Sequence, residues 1–267
     1  MANNPQVTQC SLSVCVLASG SKGNAVYVSD GRTAILVDAG LSGVEIQRRM
    51  SAAGLDVKGL NAIVVSHEHS DHIRGVGVMA RRHDLPVYAT QATASASSGQ
   101  LGRIHDMRFF DIGQSFSIND LTIHPFATSH DARDPSGFTV AQNGRKVGIA
   151  TDLGIATGMV KHHLKTCSLL VLEANHDPVM LTEGPYPWPL KQRIKSRNGH
   201  LSNQDSRDLL GEIKHEGLRH VILAHLSETN NTPEKALRAL QEAIEKEDRI
   251  ELHVACQDRC TDLLVLK

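Results

Sequence analysis

Seven consecutive residues, Ser66-His67-Glu68-His69-Ser70-Asp71-His72, hold five side chains that ionise or bind metal, and an apolar run from Leu60 to Val65 leads straight into them. Imidazole nitrogens and carboxylate oxygens are the ligands that zinc-type cations take. His67 and His69, two apart in an extended loop, can turn their rings toward one cation, whereas Asp71 and His72, adjacent on a tightening turn, suit a second cation beside it. Without metal, so many titrating groups would be crowded together with no compensating partner, which disfavours a merely histidine-rich surface loop. The spacing therefore predicts a binuclear metal site.

The elements around this stretch must hold it still. A buried strand that ends in ligands and is followed by the helical spacing Ile73, Val76, Met79, Ala80 is a strand-loop-helix junction. Three more candidates also end strand-like segments: His130 closes Leu121 to Ser129, Asp152 follows Val147 to Thr151, and His225 follows Val221 to Ala224. Recurrence at strand ends lets all three gather on the sheet edge that carries His67. Asp38, after Thr33 to Val37, either faces the same loop or serves a turn.

Strands are expected at Cys10 to Ala18, Ala25 to Ser29, Pro86 to Thr90, Ser168 to Glu173, His220 to Ala224 and Ile250 to Ala255, with short strands between Met107 and Phe126. Asp30-Gly31 and Asn143-Gly144 mark hairpins. Helical spacing or caps predict helices at Val44 to Ala53, from His72 to about His83-Asp84, at Ile155 to Leu164, Asn203 to Glu216 and Pro233 to Lys246. Gln91 to Ser98 reads as a small-residue helix or a loop. Ser202 to Asp205 is a capping box, and Thr232-Pro233 pairs an N-cap with a proline at the first helical position. The second half thus repeats the layout of the first, which suggests two sheets between outer helices. No linker or low-complexity tract divides residues 1–267, so one domain is expected.

Composition is that of an ordinary soluble globular chain: 40% hydrophobic, 21% charged and a net charge of -1. With no global basicity, any polyanion must be held by a local patch. Met1 to Thr8 lacks the basic flank and apolar core of a signal peptide, and no apolar run reaches membrane-spanning length, so a cytoplasmic location with no membrane partner is expected. Five cysteines, odd in number and without a CxxC pair, read as reduced thiols rather than disulfides or a zinc knuckle.

Taken in order, His67-Glu68-His69-Ser70-Asp71-His72, His130, Asp152 and His225 resemble the five ligand motifs of the metallo-β-lactamase superfamily. The resemblance implies a four-layer αββα sandwich. Further stretches, Leu17 to Asn24, Ser129 to Ala132, Thr151 to Gly154, Leu172 to Asp177, Gly199 to Asn203 and His225 to Ser227, resemble its bacterial YycJ/WalJ-type branch. Together they run from Leu17 to at least Pro233. Carried over by position, His67, His69 and His130 are implied to hold one metal, Asp71, His72 and His225 the other, and Asp152 to bridge them. Zinc is expected, with manganese or iron permitted.

Asp152 stands where β-lactamases of the superfamily have cysteine, and this all-nitrogen-and-oxygen shell resembles the phosphodiesterases and thioesterases. His69 stands where the di-iron redox relatives have glutamate, so hydrolysis is favoured over oxygen chemistry. The branch resemblance implies 5′-to-3′ exonuclease action on DNA. A small-molecule phosphodiesterase or thioesterase is the alternative, and a binding or scaffold protein with a structural metal is disfavoured, because a structural site closes with four ligands and needs no second cation.

Two cations about 3.5 to 4 Å apart lower the pKa of a shared water toward 7 and clamp the oxygens of an in-line displacement. Asp71 or Asp152 can orient that nucleophile. His200, in a polar turn before the capping box, is the candidate proton donor to the leaving oxygen. His176 and Asp177 have a weaker case, since His-Asp-Pro is also an ordinary turn. Finally, Pro185 to Arg197 holds Lys191, Arg193, Lys195 and Arg197 within seven residues. On a helix, Leu190 and Ile194 would anchor this stretch to the core and leave the four cations as a phosphate track beside His200.

Overall fold

Alternate residues of the first strand enter different cores. In β1 (Ser13–Ala18), Val14 and Val16 pack between the two sheets, while Cys15 and Leu17 pack under the outer helices. This follows from the two-residue period of a strand. Leu169 and Val171 part from Leu170 and Leu172 in the same way, so strands buried on both faces read as unbroken apolar runs.

The computed structural model describes residues 11–266, and the readings made on Met1 to Thr8 and Cys10 lie outside the described residues. The first half supplies β1, β2 (Ala25–Ser29), β3 (Ala34–Val37), β4 (Leu60–Val64), β5 (Val87–Ala89) and β6 (Met107–Phe109). The second supplies β7 (Phe116–Ile118), β8 (Leu121–Ala127), β9 (Ser136–Gln142), β10 (Arg145–Ala150), β11 (Leu169–Glu173), β12 (His220–Ala224) and β13 (Glu251–Val254), and β14 (Leu264–Val265) returns to pair with β1. Among the described residues these form two seven-stranded sheets, ordered β14-β1-β2-β3-β4-β5-β6 and β13-β12-β11-β10-β9-β8-β7.

Both sheets begin as antiparallel hairpins and end in parallel strands: β3 to β6 in one, β10 to β13 in the other. Parallel strands need crossovers, which helices provide. Helices α1 (Gly43–Ala52), α2 (Ser70–Ile73), α3 (Val76–His83) and α4 (Gln91–Leu101) belong to the first half. The second carries α5 (Gly158–Leu164), α6 (Pro178–Glu183), α7 (Trp188–Ile194), α8 (Asn203–Ile213) and α9 (Pro233–Gln241). One apolar layer fills the space between the sheets, a second lies between the first sheet and α1 and α3, and a third between the second sheet and α5, α8 and α9. The order is helix, sheet, sheet, helix, the αββα sandwich expected.

Several expected helices are shorter or broken. The helix after the histidine stretch divides at Gly75 into α2 and α3, where Gly75 N donates outside the helix to Ala39 O at 2.7 Å, an approach that needs glycine because a Cβ there would lie 2.2 Å from Leu41 O. The helix expected from Ile155 starts at Gly158, where Thr157 caps it by accepting from Val160 N. Those expected to reach Glu216 and Lys246 stop at Ile213 and Gln241. Gln91 to Leu101 is helical and capped by Thr90. Both helix-start signals hold, since Ser202 and Asp205 form a reciprocal capping box and Thr232 caps α9 ahead of Pro233.

Burial raises the Cys15 thiol to about 11 and the Cys167 thiol to about 12, and Cys15, Cys167, Cys256 and Cys260 are all free. Among the described residues no helix is long and apolar enough to cross a membrane.

Candidate metal centre

The C-terminal ends of parallel strands open onto one edge, where α/β sheets place their ligands. Asp38 follows β3, the His67 to His72 loop follows β4, Asp152 follows β10, Glu173 ends β11 and His225 follows β12. Three of these leave their strands in the left-handed region: Asp38 at φ 61°, Asp152 at 56° and His225 at 55°. Such backbone costs roughly 1–3 kcal/mol per residue and persists where surrounding structure enforces it, typically at functional sites.

All seven candidate ligands meet there. His67 Nε2 lies 3.1 Å and His130 Nε2 3.3 Å from His69 Nδ1. Three ring nitrogens facing one another cannot all be satisfied by the protons they share. Their spacing is close to the ~3.3 Å edge of a tetrahedron with metal-nitrogen bonds of about 2.0–2.1 Å. A second group is Asp71, His72 and His225, in which Asp71 Oδ2 lies 3.5 Å from His72 Nε2 and 3.7 Å from His225 Nε2. Asp152 sits between the groups, with Oδ1 3.7 Å from His130 Nε2 and Oδ2 3.2 Å from His72 Nε2.

Four of the five ligand imidazoles are oriented from behind. His72 Nδ1 is 2.8 Å from Asp38 Oδ2, His225 Nδ1 is 2.8 Å from Glu173 Oε1, His130 Nδ1 is 3.2 Å from Gly199 O, and His67 Nδ1 is 3.0 Å from Ser66 Oγ. A proton on the outer nitrogen leaves the inner lone pair for a cation, the usual support of a metal-binding histidine. Asp38 is thus a positioning residue: besides His72 it accepts from Ser66 N and Oγ, both at 2.8 Å. Asn24 Nδ2 donates to Asp71 Oδ2 at 3.2 Å, while Asn24 N donates to Asp71 O at 2.7 Å. Gly40 must be glycine for that brace, because a Cβ there would lie 1.6 Å from Asp71 O.

The donor set fits divalent cations. His225 Nε2 and Asp152 Oδ2 are buried with no hydrogen-bond partner, and a buried polar atom without one is costly. Asp38, Asp71, Asp152 and Glu173 concentrate negative charge, yet among the described residues their ion-pair partners are histidines alone. Burial raises the Asp152 carboxyl, but the neighbouring imidazoles of His225 and His72 more than offset this and hold it well below the carboxylate range. Burial, with His72 adding to it, pushes His67 well below its ordinary value, favouring the neutral ring that binds metal.

His200 belongs to the same site. Its Nδ1 lies 2.8 Å from Glu173 Oε1 and 3.9 Å from Asp152 Oδ1, which leaves Nε2 for another partner. Glu173, fully buried, accepts from Leu153 N at 2.8 Å and Leu201 N at 3.2 Å through Oε2. Sequence reasoning assigned it no role, although an acidic residue closing an apolar strand was a usable signal. By contrast His176 is buried and makes a backbone bridge with Ser202, and Asp177 caps α6 by accepting from Met180 N.

The basic stretch differs from its expectation. Leu190 and Ile194 of α7 do not reach the core: no residue of this helix is fully buried, and both line a cavity over the site. Lys191 Nζ donates to Thr182 O and Lys195 Nζ to Thr182 Oγ1, at 2.8 and 2.7 Å, while Arg193 Nε donates to Asp131 Oδ2 at 2.6 Å. Arg197 lies beyond the helix end. The cations are therefore not one open row, because three of them tie α7 down.

Residues 33–226 match the family described as Beta-lactamase superfamily domain. An exodeoxyribonuclease YycJ of Bacillus anthracis is 40% identical over 233 residues, which cover 86% of this chain and 88% of that protein. An exodeoxyribonuclease WalJ of Streptococcus pneumoniae is 36% identical over 225 residues, 83% of this chain and 84% of that one. Among solved structures, the metallo-β-lactamase fold protein YhfI of Bacillus subtilis superposes with a TM-score of 0.73 at 17% identity, covering 94% of this chain and 99% of that one. The likeness of YhfI speaks for the fold, and the other three matches speak for descent: the chain belongs to the metallo-β-lactamase superfamily, within its YycJ/WalJ branch.

Proposed function

We propose that this protein is a cytoplasmic, single-domain DNA exonuclease that hydrolyses phosphodiester bonds with two divalent cations, zinc by preference, working 5′ to 3′ as the branch resemblance implies. The observation that carries the reading is the pair of inward-facing donor groups meeting at Asp152, in a chain 40% identical to a protein named as an exodeoxyribonuclease. His67, His69 and His130 would hold one cation, Asp71, His72 and His225 the other, and Asp152 both. Such a pair supplies a water of pKa near ~7 and positive charge against the phosphoryl oxygens.

The chain's own groups do the rest. Asp71 and Asp152 point carboxylate oxygens into the centre and orient the attacking water. Asp38, Glu173, Gly199 and Ser66 hold the imidazole protons outward, so the inner nitrogens remain acceptors. His200, fixed through Nδ1 by Glu173, offers Nε2 as the proton donor to the departing sugar oxygen.

The test is hydrolysis of labelled DNA, RNA and a small phosphodiester by protein whose metal has been counted by elemental analysis. Two metals per chain with progressive release of nucleotides from DNA ends supports the reading. Turnover of small phosphodiesters or thioesters alone would transfer it to the small-molecule hydrolase.

A further inference from the structure

The apolar side of α7 faces a cavity of about 180 Å³ that opens beside His200 and His225. Leu190 and Ile194, one helical turn apart, and Tyr186 just before the helix form its apolar wall. Ser21, Asn175 and Ser227 line it as well and make it polar there. Asn175 commits its Nδ2 to His225 O at 2.8 Å, which leaves its side-chain carbonyl as an acceptor. The volume is below the roughly 300 Å³ at which drug-sized ligand sites begin, so it suits one ring system and not a run of nucleotides.

This wall is fastened from several sides. Lys191 and Lys195 bond Thr182, Arg193 bonds Asp131 beside His130, and Ile194 O accepts from His200 N at 3.0 Å. Pro187 and Pro189 stiffen the entry to the helix. A strand that placed one nucleotide in the cavity would meet α7 and could not continue past it.

We propose that this cavity is the subsite for the terminal nucleoside of the DNA strand, with α7 as the stop that restricts cleavage to chain ends. The inference rests on the exonuclease reading above. A base has two apolar faces and a polar edge, which match the Tyr186, Leu190 and Ile194 wall and the Asn175, Ser21 and Ser227 lining. Packing of faces tolerates every base, so the subsite measures one nucleotide without reading its identity.

The test compares labelled oligonucleotides, single-stranded and duplex, ending in an ordinary nucleotide or in an abasic one, together with circular single-stranded DNA. Wild-type protein is expected to cleave the ordinary end with kcat/KM at least tenfold above the abasic end and to leave the circle intact. Tyr186→Ala should reduce that ratio to within about twofold by lowering only the ordinary-end value. Leu190→Ala, on the same wall, should act likewise and serves if Tyr186→Ala does not fold. Trp188→Ala, exposed and outside the cavity, should keep the full ratio. Equal cleavage of both ends by wild type, or a ratio that survives both wall variants, overturns the subsite while the exonuclease reading stands, whereas cutting of the circle overturns the stop and the exonuclease reading together. No cleavage of any DNA overturns both.

Discussion

His200 and His225 donate to the same oxygen, each Nδ1 lying 2.8 Å from Glu173 Oε1. The other oxygen, Oε2, already accepts two backbone N–H groups, from Leu153 and Leu201. In Glu173→Gln, the amide oxygen must stay with those backbone donors, and the NH2 then confronts two ring N–H groups. Relief requires His225 to move its proton to Nε2, which removes a lone pair from the centre. This variant should lose about 10- to 100-fold in kcat/KM on DNA and retain less metal by elemental analysis.

Asp71→Ala removes a carboxylate oxygen from the centre and leaves the backbone oxygen that accepts from Asn24 N. Hydrolysis should fall by about a thousandfold or more, the equivalent of several kcal/mol of charge stabilisation. Circular dichroism and the melting temperature should change little, because the side chain is partly exposed in the first turn of the one-turn helix α2, outside the apolar layers. Full activity in this variant would refute its role. Chelation of wild-type protein should abolish hydrolysis and zinc should restore it.

His200→Ala separates proton donation from positioning. Turnover of DNA, whose leaving alkoxide needs a proton, should drop by about 100-fold or more, while a nitrophenyl phosphodiester with a good leaving group should be cleaved almost as before. Equal losses would instead mean that His200 acts by holding Glu173 and the phosphate in place.

If Lys191, Arg193, Lys195 and Arg197 all touch phosphates of a duplex, log affinity should fall against log salt with a slope near about -3.6, from roughly -0.9 per contact. The four are not equivalent. Arg197 carries no side-chain tie among the described residues, so Arg197→Ala should reduce the slope by about one unit. Arg193 must share its guanidinium with Asp131 and should contribute less. A slope unchanged by Arg197→Ala would exclude that contact.

Burial holds the His176 imidazole at about 4, below its ordinary 6.5. Between those values the unfolded chain takes up a proton that the folded chain refuses, so stability contributed at neutral pH is lost as pH falls from 6.5 toward 4. Urea midpoints at pH 7 and pH 5 should differ more for wild type than for His176→Asn. Equal differences would remove His176 from the acid response.

The alternation of apolar residues, the glycine and asparagine turns and the capping serines and threonines made most strands and helix starts legible, because these signals act within a few residues. The density of ligand-type side chains from His67 to His72 made the centre legible for the same reason. Helix ends were less so: α8 and α9 stop at Ile213 and Gln241, although helix-forming residues continue beyond both.

Which groups stand behind the imidazoles depended on distant strands. Asp38 reaches His72 from β3, and Glu173 reaches His200 and His225 across separations of 27 and 52 residues. From the sequence alone Asp38 was as consistent with an ordinary turn, and Glu173 was one more residue of a buried strand. The basic stretch shows the same division. Its composition determined four cations and a short apolar stripe, but only the folded chain decided that Thr182 and Asp131 engage three of the cations and that the stripe lines a cavity. Spacing along a chain specifies which face a side chain occupies, whereas its partner is decided by which segments the two sheets bring to their shared edge.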